Sequence, residues 1–133
     1  MLLQKKQNSR IKNMPYTILI LDDDPDILFF CTYVFENMGF HVVSAGNCND
    51  ILSKVETAKP DLVLMDNWIP DIGGVKATQE IKASKYKDLP VILFSANSNL
   101  KMLAEEAGAD TYLKKPFDLN ELENLARRYI KKA

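Results

Sequence analysis

The sequence predicts an α/β domain built on a doubly wound parallel sheet, five strands alternating with five helices. Two observations carry this expectation. Short apolar runs alternate five times with longer segments of helical spacing, the pattern left by successive strand-helix-strand crossovers. The runs Ile18-Leu19-Ile20-Leu21 and Leu62-Val63-Leu64-Met65 are apolar at every position, as strands covered on both faces are, and each leads into carboxylates, Asp22-Asp23 and Asp66.

The first strand covers residues 17–21. A helix over 25–38 follows, with Asp24 in the capping position, Pro25 as its first residue and Gly39 past its end. Asp26 falls in the first turn, where the helix dipole favours an anion. Ile27, Leu28, Cys31, Val34, Phe35 and Met38 share one face of this helix. Phe29, Phe30 and Tyr33 lie on its flank, where they either pack against the last helix or offer a docking surface. A strand over 41–45 opens on His41, the single histidine, which has no second ligand or nucleophile nearby and reads as structural. A helix over 49–57 and a strand over 62–65 come next. Pro70, Gly73 and Gly74 then make a turn before a helix over 75–84. The order closes with a strand over 91–94, a helix over 99–107, a short strand over 111–113 and a helix over 119–131.

With 133 residues, 47% of them hydrophobic, the chain suits one domain with a real core, so any output comes from that domain or its partners. Its 17 basic and 18 acidic residues leave a net charge of −1, which gives no support to direct nucleic-acid binding or to an anionic membrane surface. No apolar stretch approaches the roughly 18 residues of a membrane span, and the N-terminal residues hold no apolar signal core, so a cytoplasmic location is expected. Residues 1–14 carry Lys5, Lys6, Arg10 and Lys12 without an acid and read as a flexible extension ahead of a domain over 15–133. Met14-Pro15 directly precedes the first strand, so a start at Met14 fits equally well. Cys31 and Cys48 form no CxxC and read as reduced, structural thiols.

Right-handed crossovers place ligands at the carboxyl ends of the strands, where the chain order reverses. Asp22, Asp23 and Asp66 all lie at that edge. At about 4 Å two carboxylates repel by roughly 1 kcal/mol in water and about 4 kcal/mol at a protein-like dielectric, so three converging acids call for a divalent cation or protonation. Oxygen-only ligation favours Mg²⁺ over zinc. Ser95-Ala96 follows the fourth strand and Lys114-Lys115-Pro116-Phe117 the fifth. Taken singly, these residues read as a solvated turn, a loop acid, a helix cap and a surface lysine. Together at four strand ends they supply a nucleophile, a metal clamp and neutralising donors, the needs of phosphoryl transfer. Strand alternation lets only one of the two lysines enter the site; Lys115 is chosen because it directly precedes Pro116-Phe117.

In these motifs the chain resembles the CheY-like receiver domain of bacterial two-component response regulators, over about residues 16–131. The resemblance implies a flavodoxin-like sheet in the order 2-1-3-4-5. It implies that Asp66 is the phosphoacceptor, charged by a sensor histidine kinase or a histidine phosphotransfer protein. Mg²⁺, with Mn²⁺ able to substitute, would be held by Asp23, Asp66 and the Trp68 backbone carbonyl, and by Asp22 through water. Lys115 would pair with the phosphoryl oxygens and Ser95 would hydrogen-bond one of them, with Ser95 and Tyr112 as the switch pair. The resemblance further implies a cis bond before Pro116, an output face over 99–107, 111–113 and 119–131 that binds an unknown downstream protein, and a homodimer through that face in some family members. Such a protein is a phosphoacceptor switch, self-phosphorylating from small acyl phosphates, rather than a turnover enzyme.

The chain departs from the family at Ile69, where methionine is common and the volume is kept, and at Gly73, where an acid is common and the loop gains freedom. Trp68 and Asn97 occupy the two positions at which the family tunes attack by water. A bulky indole shields the acyl phosphate and Asn97 lacks a charge to orient water, so slow self-dephosphorylation is expected. Other classes fit less well. Asp22 and Asp24 form the D-x-D of a haloacid-dehalogenase-like phosphatase, but Pro25 stands near where a hydroxyl is expected. A flavodoxin-like flavin carrier needs a Ser/Thr/Gly-rich phosphate turn, and Asp22-Asp23-Asp24 would repel that phosphate. A receiver fold serving only as an unphosphorylated interaction module, and a receiver excised from a hybrid histidine kinase, are the remaining alternatives.

Overall fold

Parallel strands β1 (Thr17–Leu21), β2 (His41–Ala45), β3 (Leu62–Asp66), β4 (Val91–Ser95) and β5 (Thr111–Lys114) form a sheet in the order β2-β1-β3-β4-β5. The computed structural model describes residues 15–67 and 73–130. The expectations for the extension 1–14, for Trp68, Ile69 and Pro70, and for the last turn of the final helix at residue 131 lie outside them. The helices are α1 (Pro25–Asn37), α2 (Ile51–Ala58), α3 (Gly73–Lys82), α4 (Leu100–Ala107) and α5 (Leu119–Tyr129). None of them is long and apolar enough to cross a membrane.

Capping residues set the helix ends where the sequence has them. The Asp24 carboxylate accepts the Asp26 N–H at 2.9 Å, and Gly39 takes φ 94 past the end of α1. A reciprocal capping box between Asp118 and Glu121 opens α5. Several helix boundaries shift by one or two residues from the sequence pattern, among them the starts of α2 and α3 and the end of α3, at Lys82 rather than residue 84. Helix α2 starts at Ile51 rather than residue 49, because Asn49 donates to the Asn47 side chain at 3.0 Å and Asp50 adopts a left-handed φ of 50. Helix α3 starts at Gly73 rather than residue 75, so its two glycines form the first turn instead of lengthening the loop. Strands β3, β4 and β5 each run one residue further than expected, which draws Asp66, Ser95 and Lys114 into the ladder.

The core has two halves, one on each side of the sheet. Helices α1 and α5 cover Ile18, Ile20, Leu62, Leu64, Ile92 and Phe94. Helices α2, α3 and α4 cover Leu19, Leu21, Val63, Met65, Val91 and Leu93. Each such side chain contributes about 1.5–3 kcal/mol when fully buried, so the three central strands carry much of the stabilisation of the core. The expected apolar face of α1 is the buried one, with Cys31, Val34 and Phe35 inside. Its flank is not packed away: Phe29 and Tyr33 are 76% and 62% exposed, and Phe30 meets Phe117 with ring centroids 6.2 Å apart.

Both cysteines are free and buried, and burial pushes each thiol up to about 12. Iodoacetamide at about pH 8 is therefore expected to leave both unmodified in the folded protein and to label both in urea. Rapid labelling of the folded chain would contradict the burial. The folded thiols hold their protons more tightly than unfolded ones. Their contribution to stability is thus complete below the ordinary 9.0 and lost as the pH climbs towards about 12.

A candidate phosphoryl site at the sheet edge

Side-chain alternation and register assemble the site. Leu21 pairs with Met65 and Asp66 with Phe94, so the residues after β1 and at the ends of β3 and β4 stand level. Asp22 and Asp66 fall on the α1/α5 side of the sheet, two positions beyond Ile20 and Leu64. Each of Asp22, Asp23 and Asp66 offers a carboxylate oxygen, and these atoms lie within 4.8 Å of one another. Asp22 is fully buried and Asp66 nearly so, at 3% exposure, while Asp23 faces solvent.

Among the described residues, the Lys115 ammonium ties the two buried acids together. Lys115 Nζ donates to Asp22 Oδ2 at 2.8 Å and lies 3.4 Å from Asp66 Oδ1. The other oxygen of Asp22 accepts the Asp24 N–H at 2.9 Å. Burial by itself pulls the Lys115 ammonium down, but its hydrogen bond to Asp22 and the charges of Asp66 and Asp22 outweigh this and raise it above the ordinary 10.5. The Lys115 N–H donates to the Ser95 carbonyl at 2.9 Å, and the Lys115-Pro116 peptide is cis, as the resemblance implied. Lys114 is exposed, so one lysine enters the site and it is Lys115.

Ser95 is fully buried at the end of β4, where its Oγ accepts the Asn97 N–H at 3.1 Å. Asn97 builds the turn into α4: its side chain accepts the Asn99 N–H at 2.7 Å and its carbonyl the Leu100 N–H at 3.2 Å. Alternation along β4 and β5 puts Ser95 and Tyr112 on the side of the sheet opposite Asp66, and Tyr112 is 41% exposed. An all-oxygen cluster of three carboxylates beside one ammonium fits a small hard cation such as Mg²⁺.

Two residues beside this site are not evident from sequence pattern. One is Gly74. A Cβ there would lie 2.3 Å from the Asp66 carbonyl oxygen and 2.9 Å from Asn67 Cα, so α3 can pack against the end of β3 only through a glycine. Paired glycines at a helix start were the available signal. Gly74→Ala is expected to cost about 3 kcal/mol in urea unfolding, the upper end for overpacking. A loss within experimental error would mean that α3 can shift freely against β3. The second is Phe94, whose ring centre lies 4.7 Å from Lys115 Nζ.

A doubly wound 2-1-3-4-5 sheet with acids and a lysine converging at its switch point defines a class of signalling domain. Residues 18–127 match the response regulator receiver domain, and the chain belongs to that family. It is 33% identical to the CAI-1 autoinducer sensor kinase/phosphatase CqsS of Vibrio cholerae, over 96% of this chain and 18% of that protein. It is 34% identical to sporulation initiation phosphotransferase F of Bacillus subtilis, over 85% of this chain and 92% of that one. It spans about half the length, or less, of several curated relatives it matches. The receiver domain of sensor histidine kinase PA1611 from Pseudomonas aeruginosa PAO1, solved with a magnesium ion coordinated in its active site cleft, superposes with a TM-score of 0.80 at 27% identity. That match covers 86% of this chain and 97% of that one.

Proposed function

We propose that this receiver domain is a Mg²⁺-dependent phosphoryl switch in which Asp66 accepts a phosphoryl group from a histidine kinase or a histidine phosphotransfer protein. The observation that carries this reading is the ammonium of Lys115 held between buried Asp22 and Asp66, with Asp23 close by. Two acids are kept out of water beside an ammonium, and crowded, desolvated charges of this kind concentrate at functional sites.

In the proposed step a carboxylate oxygen of Asp66 forms the new P–O bond while the P–N bond of phosphohistidine breaks, and the imidazole keeps the electron pair. A bound Mg²⁺ would supply charge neutralisation at the phosphoryl oxygens. Asp23 and Asp66 would hold it, with the Trp68 carbonyl as a further ligand and Asp22 acting through water. Mn²⁺ would substitute. Asp22 suits an indirect role because both its oxygens already accept hydrogen bonds, from Asp24 and Lys115. Lys115 would pair with the phosphoryl group and Ser95 would hydrogen-bond it.

Movement of Ser95 towards the phosphoryl group would draw Tyr112 inward and remodel an output face formed by α4, β5 and α5. Exposed Met102, Tyr112 and Leu119 give that face an apolar character suited to a downstream protein or a second copy. In this reading residues 15–133 are the receiver and 1–14 an extension of it.

The test is Trp68 fluorescence and intact mass during addition of Mg²⁺ and then a small acyl phosphate. Metal-dependent fluorescence followed by gain of one phosphoryl group supports the switch. A chain that gains no phosphoryl mass is an interaction module instead. Trp68→Asn is expected to speed loss of the phosphoryl group about ten-fold by admitting water, measured as mass decay; an unchanged rate removes the shielding role.

A further inference from the structure

We infer that Phe94 is the positioning residue for Lys115, its ring forming the surface across which the lysine reaches from β5 to the acids. This rests on the proposed part of Lys115 in phosphoryl transfer. In the order β2-β1-β3-β4-β5, strand β4 separates Lys115 from Asp66 on β3 and from Asp22 beyond β1. The lysine side chain must therefore pass over the end of β4. On the α1/α5 side of β4 the last residue is Phe94, which stands level with Asp66 in the ladder.

The geometry matches. Lys115 Nζ lies 4.7 Å from the Phe94 ring centre while donating to Asp22 at 2.8 Å and lying 3.4 Å from Asp66. An ammonium within about 6 Å of a ring face is attracted by the ring quadrupole, and more strongly where water is excluded. Phe94 is fully buried, and Phe117 braces it with ring centroids 6.1 Å apart. A leucine would fill much of the space but present no negative face. The ammonium would then be held by the carboxylates alone, which must release part of their hold when a cation or phosphoryl group arrives.

The test uses the full chain with Phe94→Leu and, as an aromatic variant of similar shape, pentafluorophenylalanine at position 94, which reverses the negative face of the ring. In wild type the ε-methylene protons of Lys115 are expected at high field from the ring current, and in Phe94→Leu that shift is lost. With Mg²⁺ and a small acyl phosphate, both variants are expected to be phosphorylated about ten-fold more slowly, the size of a desolvated cation–π contact. In a Lys115→Met background, Phe94→Leu is expected to cause no further loss.

A fluorinated variant as fast as wild type, or a full Phe94→Leu effect in the Lys115→Met background, overturns the inference and leaves Phe94 as core packing. A wild type that gains no phosphoryl group defeats the functional reading instead. In that case the Lys115 proton shift still decides whether the contact exists.

Discussion

Asp66→Asn is expected to abolish phosphorylation: with Mg²⁺ and a small acyl phosphate the wild type gains the mass of one phosphoryl group and the variant none. The amide keeps the shape of a side chain that is 5% exposed, so the fold should survive. What is lost is the anionic oxygen that attacks phosphorus and one charge of the cation site. Removing one of three crowded acids also relieves repulsion, so the variant should be as stable as wild type in urea or slightly more so. Intact phosphorylation of the folded variant would move the acceptor elsewhere, with Asp23 the first place to look because it is the exposed acid of the cluster.

Lys115→Met should have the second largest effect, and it should appear first in stability. The substitution keeps an apolar stem but leaves Asp22, fully buried, without its 2.8 Å partner, and Asp66 without its ammonium at 3.4 Å. Breaking a buried pair from one side costs about 3–5 kcal/mol; with the lysine side chain 17% exposed, solvent screening lowers the expectation to about 2–3 kcal/mol in Mg²⁺-free buffer. Saturating Mg²⁺ should restore much of this, because the cation takes over the neutralisation. A variant as stable as wild type without metal would mean that the acids do not depend on the lysine. The pH dependence follows from the raised ammonium. Its pairing is fully present below the ordinary 10.5 and is lost only as the pH rises through the higher folded-state value. Wild-type stability should therefore show no loss from this pair at neutral pH, and urea midpoints measured between neutral pH and pH 11 check it.

How far the site was legible depended on the distance over which each feature is encoded. The capping acid Asp24, the paired acids after β1 and Asp66 after β3 are local features, and they read correctly because the strand pattern that delivers them is uniformly apolar. The α2 start did not read correctly. Asn47 and Asp50 divert the backbone through side-chain hydrogen bonding and a left-handed residue, which compete with helix periodicity without changing it. The flank of α1, expected to pack against the last helix or else to offer a docking surface, leaves Phe29 and Tyr33 exposed. Helical periodicity gives the angle of a side chain about the helix, not how far the neighbouring helix extends over it.

By itself the sequence determined the fold class, the edge of the sheet at which acids gather, and which lysine joins them. The first two follow from uniformly apolar runs alternating with helical segments and from the handedness of crossovers; alternation admits only one lysine, and the resemblance at Pro116-Phe117 picks Lys115. Only the tertiary structure decided that Asp22 is sealed and Asp23 is open, that Gly74 must lack a Cβ to let α3 meet β3, and that Phe94 lies under the path of Lys115. Each of these depends on the register between strands far apart in the chain and on the volume left where helices close over them. Local patterning does not encode those quantities, because they exist only once all five strands are in place.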